Sequence, residues 1–359
     1  MRTLATGFLL IALTAPVAAQ IDPSTALLAQ TGWNALAAGQ PHAAAEAFHR
    51  ALSADPRNAR LHLGAALAAF AERRDADAKE FAEHALALDP ALADARALLG
   101  QVLYRLGDLA GAIRTYETLA VESHSQDVTA ALDRWRRERD LHDSMQQAVG
   151  AHFTVSFDGP VDDLVAAEAL ASLDRAYWRI GDVLGTLPSE PIAVVLYTSA
   201  QFQDITRSPS WAAGAYDGTI RVPMGGVLDR AIPPRELDRV LAHEFTHAIV
   251  RSLAKGHVPT WLNEGLATAL ETDDPGWADE RVRRAGGLMP LDRLQNGFGH
   301  LTAAEAPLAY ATSALVVTRM LDLAGGYAVA NLLRDLGDGV PFADAFLRRM
   351  QRSLADITL

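Results

Sequence analysis

The segment LAHEFTHAIV, residues 241–250, carries two histidines four positions apart, with a glutamate directly after the first. At 3.6 residues per helical turn, His243 and His247 project from the same face, and Glu244 lies about 100° round the axis. Two imidazoles can then bind one metal ion while the carboxylate takes a proton from a nearby water molecule. The segment therefore predicts a metal site, with zinc as the candidate ion and Glu244 within reach of a water molecule on it.

The flanking sequence predicts a helix that carries these side chains. The prolines at 233–234 can open it, residues 235–254 contain no glycine or proline, and Gly256 can close it. Val240 and Val250 share the histidine-bearing face, so this face is expected to point inward. A core histidine without a metal is the alternative for any single residue, but two imidazoles and a carboxylate are costly to bury without partners.

Catalytic zinc generally takes three protein ligands and keeps one position open. A metzincin would have glycine and histidine where this chain has Val250 and Leu253. The segment PTWLNEGLATALE, residues 259–271, offers Glu264 on a second helix. Gly265 indicates close packing there, because a glycine inside a helix costs about 1 kcal/mol. The alternative for Glu264 is a solvated carboxylate in a first helical turn.

Together the two segments resemble the gluzincin metallopeptidases, which include thermolysin and the zinc aminopeptidases. The likeness lies in six residues, which are His243, Glu244, His247, Asn263, Glu264 and Gly265. The order of elements from about 151 to 350 is similar to the peptidase MA-like domain that often accompanies repeats in bacterial proteins. The resemblance implies one Zn²⁺ per chain on His243, His247 and Glu264, and a zinc metallopeptidase with Glu244 as catalytic base.

Catalysis also requires a donor for the developing oxyanion. In APLAYATSALVV, residues 306–317, Tyr310 resembles the downstream tyrosine of this family, although a packing role is an equal alternative. His300 is a second candidate. Aminopeptidases of this group carry a Gly-x-x-Glu-Asn element, and the stretch 211–220 lacks its glutamate, which favours endopeptidase activity.

Residues 24–125 repeat with a period of 34, beginning with Pro56 and Pro90. The agreeing sets are Gly32, Ala66 and Gly100; Ala44, Ala78 and Ala112; Ala51, Ala85 and Leu119; and Phe48, Ala82 and Tyr116. They resemble tetratricopeptide repeats, although accidental periodicity of alanine-rich helices is the alternative. Stacked units bury faces that one unit cannot bury alone, so we expect a separable domain that recruits a protein partner or the peptide substrate.

The predicted fold is α+β, with an all-α repeat array followed by a zincin-like catalytic domain at 151–359. Residues 126–150 are predicted as a capping and linker helix. The catalytic domain should contain a small sheet and a helical C-terminal half. Its expected strands include 152–157 and 191–197, on either side of a helix, and the stretch Thr219–Val222, which ends at a proline and suits a sheet edge. Substrate backbone addition and an ordinary capped edge are equal alternatives for that strand.

The first nineteen residues are predicted to be a secretory signal, with an apolar stretch and a small-residue cleavage site. No later run of about 18 apolar residues suggests a membrane span, so a soluble periplasmic or secreted protein is expected. The chain has no cysteine, which excludes disulfides and fits a bacterial periplasm. Its net charge of −12 argues against nucleic acid and anionic membranes as partners.

Two other functions compete with the peptidase. One is an exported adaptor whose repeats bind a partner and whose zincin-like domain is catalytically inactive; the other is a scaffold without metal. Glu244 argues against the first, because a structural zinc site needs a fourth ligand and no general base.

Overall fold

A computed structural model describes residues 23–158, 163–206, 214–224, 234–254, 258–272, 276–295, 297–299 and 301–358. The predicted signal segment, Gly256 and His300 lie outside the described residues. The described chain is mostly helical and contains one five-stranded sheet.

Seven helices form the N-terminal part of the protein. They are α1 Pro23–Ala37, α2 Pro41–Ala54, α3 Ala59–Ala71, α4 Asp75–Leu88, α5 Ala93–Arg105, α6 Leu109–Ser123 and α7 Gln126–Ser144. Each packs on its neighbour in sequence. Gly32 and Gly64 lie against the buried ring of Phe48, and Gly100 lies against Tyr116. The predicted tetratricopeptide array is confirmed, and small residues set the close approach of its helices.

The predicted linker helix ends earlier than expected. Helix α7 stops at Ser144, because Met145 adopts an extended backbone conformation. Gln146–Val149 then forms strand β1, which pairs antiparallel with β2. The prediction of helix to residue 150 is therefore wrong at its end, since backbone partners in the sheet outweigh the local helical pattern.

The sheet has the order β1-β2-β3-β5-β4. Its other strands are β2 Phe153–Phe157, β3 Ile192–Tyr197, β4 Ala215–Tyr216 and β5 Ile220–Pro223. The inner pairs β2–β3 and β3–β5 are parallel, and the outer pairs are antiparallel. The prediction of Thr219–Val222 as the edge strand is wrong, because β4 pairs with β5 and takes the edge.

The remaining helices cover the sheet and form the C-terminal half. They are α8 Asp163–Leu184, α9 Ser199–Thr206, α10 Pro234–Ala254, α11 Thr260–Leu270, α12 Gly276–Arg284, a 3₁₀ turn Leu291–Leu294, α13 Ala306–Gly337, α14 Phe342–Met350 and α15 Leu354–Thr358. Phe153 of β2, Tyr177 of α8 and Phe245 of α10 meet in the main core. This packing fixes α10, and the predicted α+β fold is confirmed.

Helix α13 contains a break at Gly325, where φ is 77° and ψ is 161°. Before the break, α13 packs on α11, and Gly265 lies so close that an added Cβ would be 2.5 Å from the Ser313 carbonyl oxygen. After it, Gly326 lies against the Val183 backbone of α8. The two segments of α13 therefore support different helices.

No helix within the described ranges has the length and apolar character that crossing a lipid bilayer requires.

Candidate metal centre

Helices α10 and α11 bring the three predicted ligands together. One donor atom each from His243, His247 and Glu264 lies within 4.8 Å of the others. The Nε2 atoms of His243 and His247 are 3.7 Å and 3.8 Å from the two carboxylate oxygens of Glu264. The histidines are one helical turn apart on α10, so their rings face the same point.

This donor set fits a zinc ion. Two imidazoles and one carboxylate are the ligand types of a three-ligand catalytic site. Ligand atoms around tetrahedral zinc are separated by roughly 3.3 Å, for bonds of about 2.0 Å. The separations between Glu264 and the two histidines, 3.7 Å and 3.8 Å, are slightly wider.

A second set of side chains orients the histidines. The Nδ1 atom of His243 lies 2.8 Å from a carboxylate oxygen of Glu271, and that of His247 lies 3.0 Å from the Asn263 amide oxygen. Each Nδ1–H can donate to its acceptor, and this bond turns the Nε2 atom of each ring towards the centre. Arg239 holds Glu271 in place, with Nη1 3.1 Å from the same carboxylate oxygen.

Sequence reasoning did not assign Glu271 this role. The available signal is its spacing, because residue 271 lies two helical turns after Glu264 and so projects from the same side of α11. Helix α11 is assigned only as far as Leu270, and Glu271 continues it with helical backbone angles.

The centre favours positive charge. Burial lowers the pKa of the His243 imidazole, but hydrogen bonds to Glu264 and Glu271 outweigh this effect and raise the pKa to about 10. Burial raises the pKa of the Glu264 carboxyl, but the nearby charges of His247 and His243 bring it below its usual value. Carboxylates thus surround the imidazoles, as a cation site requires.

Glu244 lies beside this cluster and is buried, with 6 % of its surface exposed. Burial raises the pKa of the Glu244 carboxyl, and the two histidines oppose the rise. Gly214 packs against it, so that an added Cβ would lie 2.5 Å from Oε1. A carboxylate with a raised pKa is a stronger base than an exposed one, which suits proton transfer.

Tyr310 lies in the first turns of α13 and lines the same space as the cluster. Burial and the negative charges of Glu264 and Glu244 raise the pKa of its phenol. The hydroxyl therefore stays protonated and can donate a hydrogen bond. Its ring also packs edge-on against Phe298, at a centroid distance of 5.1 Å.

Two cavities meet at the cluster. One of about 600 Å³ reaches from His247 to the repeats and is lined there by Ala71 and Arg73. The other, of about 1310 Å³, extends to the apolar side chains of Trp277 and Phe298. Both are lined by His243, Glu244, Glu264 and Tyr310. The cluster thus lies in the middle of a long cleft, with room for a chain on both sides.

Buried ion pairs join the repeats to the C-terminal half of the chain. Asp75 of α4 pairs with Arg105 and, at 2.6 Å, with Arg251 of α10. Glu138 of α7 pairs at 2.6 Å with Arg221 of β5. These contacts differ from the separable arrangement that stacking alone predicts, because a repeat carboxylate binds the metal-site helix directly.

Two family models match the chain. The peptidase MA superfamily model matches residues 172–352, and a tetratricopeptide repeat model matches residues 30–93 and 77–128. The first match contains the whole metal cluster and Tyr310. No curated protein matches the chain.

Two solved structures that are similar to the chain are tetratricopeptide domains. One is the first such domain of Spaghetti (RPAP3) bound to the HSP90 peptide SRMEEVD, and another is the NMR structure of the first domain of human RPAP3. Both have 22% identity and a TM-score of 0.32, and both alignments cover 33% of this chain. They cover 96% and 94% of the respective structures.

Proposed function

Because the chain belongs to the peptidase MA superfamily, we propose that it is a zinc-dependent peptidase, and more specifically an endopeptidase. The observation that carries the proposal is the cluster of His243, His247 and Glu264, whose donor atoms lie within 4.8 Å of one another beside the buried Glu244. One Zn²⁺ per chain is proposed, with these three residues as its ligands.

A zinc ion bound there would act as a Lewis acid, which would lower the pKa of its bound water and polarise a peptide carbonyl. Glu271 and Asn263 are proposed to orient the two imidazoles, whose Nε2 atoms would lose any proton when the metal binds. Arg239 fixes the position of Glu271 in turn.

Glu244 is proposed as the general base. Its carboxylate takes a proton from the attacking water and then delivers it to the amide nitrogen, so that the C–N bond breaks and a free amine leaves. The other product is a carboxylate. The protonated hydroxyl of Tyr310 is proposed to donate to the oxygen of the scissile carbonyl as negative charge develops there.

A cleft that extends on both sides of the cluster supports internal cleavage of a peptide, since an exopeptidase needs a group that ends the cleft. The repeats, which are protein-interaction modules, are proposed to bind a protein substrate or partner. Residues 1–19 are proposed as an export signal, 24–125 as the repeats, 126–150 as the link and 151–359 as the peptidase domain. Periplasmic or secreted localisation follows from that signal.

The alternative is an exported adaptor with an inactive zincin-like domain. The repeat match supports it, because such repeats bind other proteins. The buried Glu244 favours the enzyme, since an adaptor gains nothing from a carboxylate held beside an open metal site.

Substitution of Glu244 tests the proposal. Glu244→Gln keeps the shape and removes the basicity, so hydrolysis should fall by roughly 10² to 10⁴ while bound zinc and thermal stability change little. Zinc is measured by elemental analysis and hydrolysis with a peptide library. His243→Ala should lose zinc and activity together. Near-normal hydrolysis by zinc-loaded Glu244→Gln would contradict the mechanism, and a parent protein that cleaves nothing would favour the adaptor.

A further inference from the structure

One turn of the repeat array differs from its counterparts in a single residue. Gly39, Arg73 and Gly107 occupy the same place in three successive 34-residue units, with φ of 68°, 63° and 82°. An added Cβ at Gly39 or Gly107 would meet no atom within 4 Å, so backbone conformation alone favours glycine there. An L side chain in this left-handed region costs free energy. The middle unit therefore keeps an arginine where the backbone favours glycine, which points to a role of the side chain.

The middle turn is also the one that faces the metal centre. Arg73 lines the cavity of about 600 Å³ together with His243, His247 and Glu264. Neither Gly39 nor Gly107 lines this cavity or its neighbour. Of these three turns, only the one with arginine in place of glycine reaches the cleft.

The Arg73 guanidinium has no hydrogen-bond or ion-pair partner within the part of the chain that the structure describes. The neighbouring charges are already engaged, since Arg251 pairs with Asp75 at 2.6 Å and Asp217 pairs with Arg221 at 3.2 Å. Arg73 is exposed on the cleft wall, where partial desolvation and the nearby Arg251 lower the pKa of its guanidinium against the opposing charge of Asp217. Two cations thus lie near each other on this wall of the cleft, and among the described residues only Arg251 has an ion-pair partner.

Resting on the proposed peptidase activity, we propose that Arg73 binds a carboxylate of the substrate and so selects peptides with an acidic group near the scissile bond. A planar guanidinium pairs with a carboxylate through two parallel hydrogen bonds. This recognition is local, because the net charge of −12 repels acidic peptides from the protein as a whole.

The distance from the metal cluster to this pair of arginines can be estimated along α10, which carries Arg251, the neighbour of Arg73. Arg251 lies four residues after His247, which is about 6 Å along the axis of α10. An extended peptide advances about 3.3 Å per residue, so the acidic group should lie roughly two or three residues from the cleaved bond. The carboxylate belongs either to an Asp or Glu side chain or to the C-terminus of a short peptide.

The full-length protein tests this with two peptide libraries, one amidated at the C-terminus and one with a free carboxylate. Arg73→Asn removes the charge and retains the backbone, because Asn tolerates positive φ better than other side chains. Arg73→Gly is a second variant that relieves the strain. Arg57→Asn is the matched control, as Arg57 is an exposed arginine in another interhelical turn. Both Arg73 variants should lower kcat/KM for acidic peptides roughly 10- to 100-fold, with little change for neutral peptides.

Binding gives a readout that does not need hydrolysis. The dissociation constants of acidic and neutral peptides are measured by calorimetry on Glu244→Gln, with and without Arg73→Asn. A preference for acidic residues in the amidated library identifies a side-chain carboxylate, and a preference confined to the free-acid library identifies the terminal one. If acidic peptides bind better in an Arg73-dependent way but the parent protein cleaves no peptide, the peptidase proposal is wrong and the Arg73 proposal stands. Equal effects of Arg73→Asn on acidic and neutral peptides, no effect, or no acidic preference in either assay would overturn the Arg73 proposal.

Discussion

The repeats and the C-terminal half both place helices close together through glycine, but their contacts span different sequence distances. Gly100 lies against the ring of Tyr116, sixteen residues later. Gly265 lies against the backbone of Ser313, forty-eight residues later, and Gly326 lies against Val183 of a helix far earlier in the chain. A contact that recurs within each unit leaves a period in the sequence, and a contact made once across the fold does not.

The largest effect on stability is expected where the two regions meet. Asp75 has 2 % of its side chain exposed and is bound by Arg105 and Arg251. Asp75→Asn leaves both arginines without their anion, so the free energy of unfolding should fall by about 3 to 5 kcal/mol, as measured by urea denaturation. Hydrolysis of short peptides should also fall, because Arg251 belongs to the metal-site helix.

Asp77→Asn is the control on the same helix, since Asp77 pairs with Arg74 at the surface and should contribute at most about 1 kcal/mol. If Asp75→Asn and Asp77→Asn lower the free energy of unfolding equally little, the repeats and the C-terminal half are separable, as the sequence alone predicts.

A smaller effect is expected from adding one methyl group at Gly265. Its Cβ would lie 2.5 Å from the Ser313 carbonyl oxygen, and backbone cannot turn aside as a side chain can. Gly265→Ala should therefore force α11 and α13 apart and lower the free energy of unfolding by roughly 1 to 3 kcal/mol. Gly299→Ala is the control for stability, because no atom lies within 4 Å of its Cβ position. An unchanged unfolding midpoint for Gly265→Ala would mean that this close approach does not limit the packing.

The hydrogen bond between His243 and Glu271 should affect the affinity of the proposed zinc site. Glu271→Gln keeps an acceptor for His243 but removes the charge, so zinc affinity should fall about 10- to 100-fold, which is about 1.4 to 2.7 kcal/mol. Competition with a chelator measures this change. Glu280→Gln, on the exposed surface of α12, should leave the affinity unchanged. Equal affinities of the Glu271→Gln variant and the parent would show that Asn263 alone is sufficient to orient the site.

Features whose signal lies within a short stretch or a repeat unit were predictable from the sequence. The repeats were predictable because every unit presents the same small residues, and the His243–His247 pair because helical spacing is local. The end of α7 at Ser144 and the edge position of β4 were not, since both depend on strand pairing between distant segments. Local patterns cannot specify such pairing.

The candidate site likewise has a part that local sequence patterns predict and a part that depends on distant contacts. The ligands lie in two short motifs, each of which carries its own signal. The contribution of Arg73 to the cleft wall depends on how the second repeat docks on α10, which no local pattern describes. Only its departure from the glycine period at 39 and 107 marked it in the sequence.

The break at Gly325 has a consequence for how the protein tolerates sequence change. A continuous helix transmits a rotation or a shift of register along its whole length. The positive φ of Gly325 interrupts α13, so the segment that packs against Gly265 and the segment that packs against α8 do not form one continuous helix. Substitutions between 326 and 336 that repack this segment against α8 should therefore disturb the proposed ligands less than substitution of Gly337, which lies against the Leu253 and Ala254 backbone of α10. Tolerance to sequence change in this segment should end where it meets the helix that carries His243 and His247.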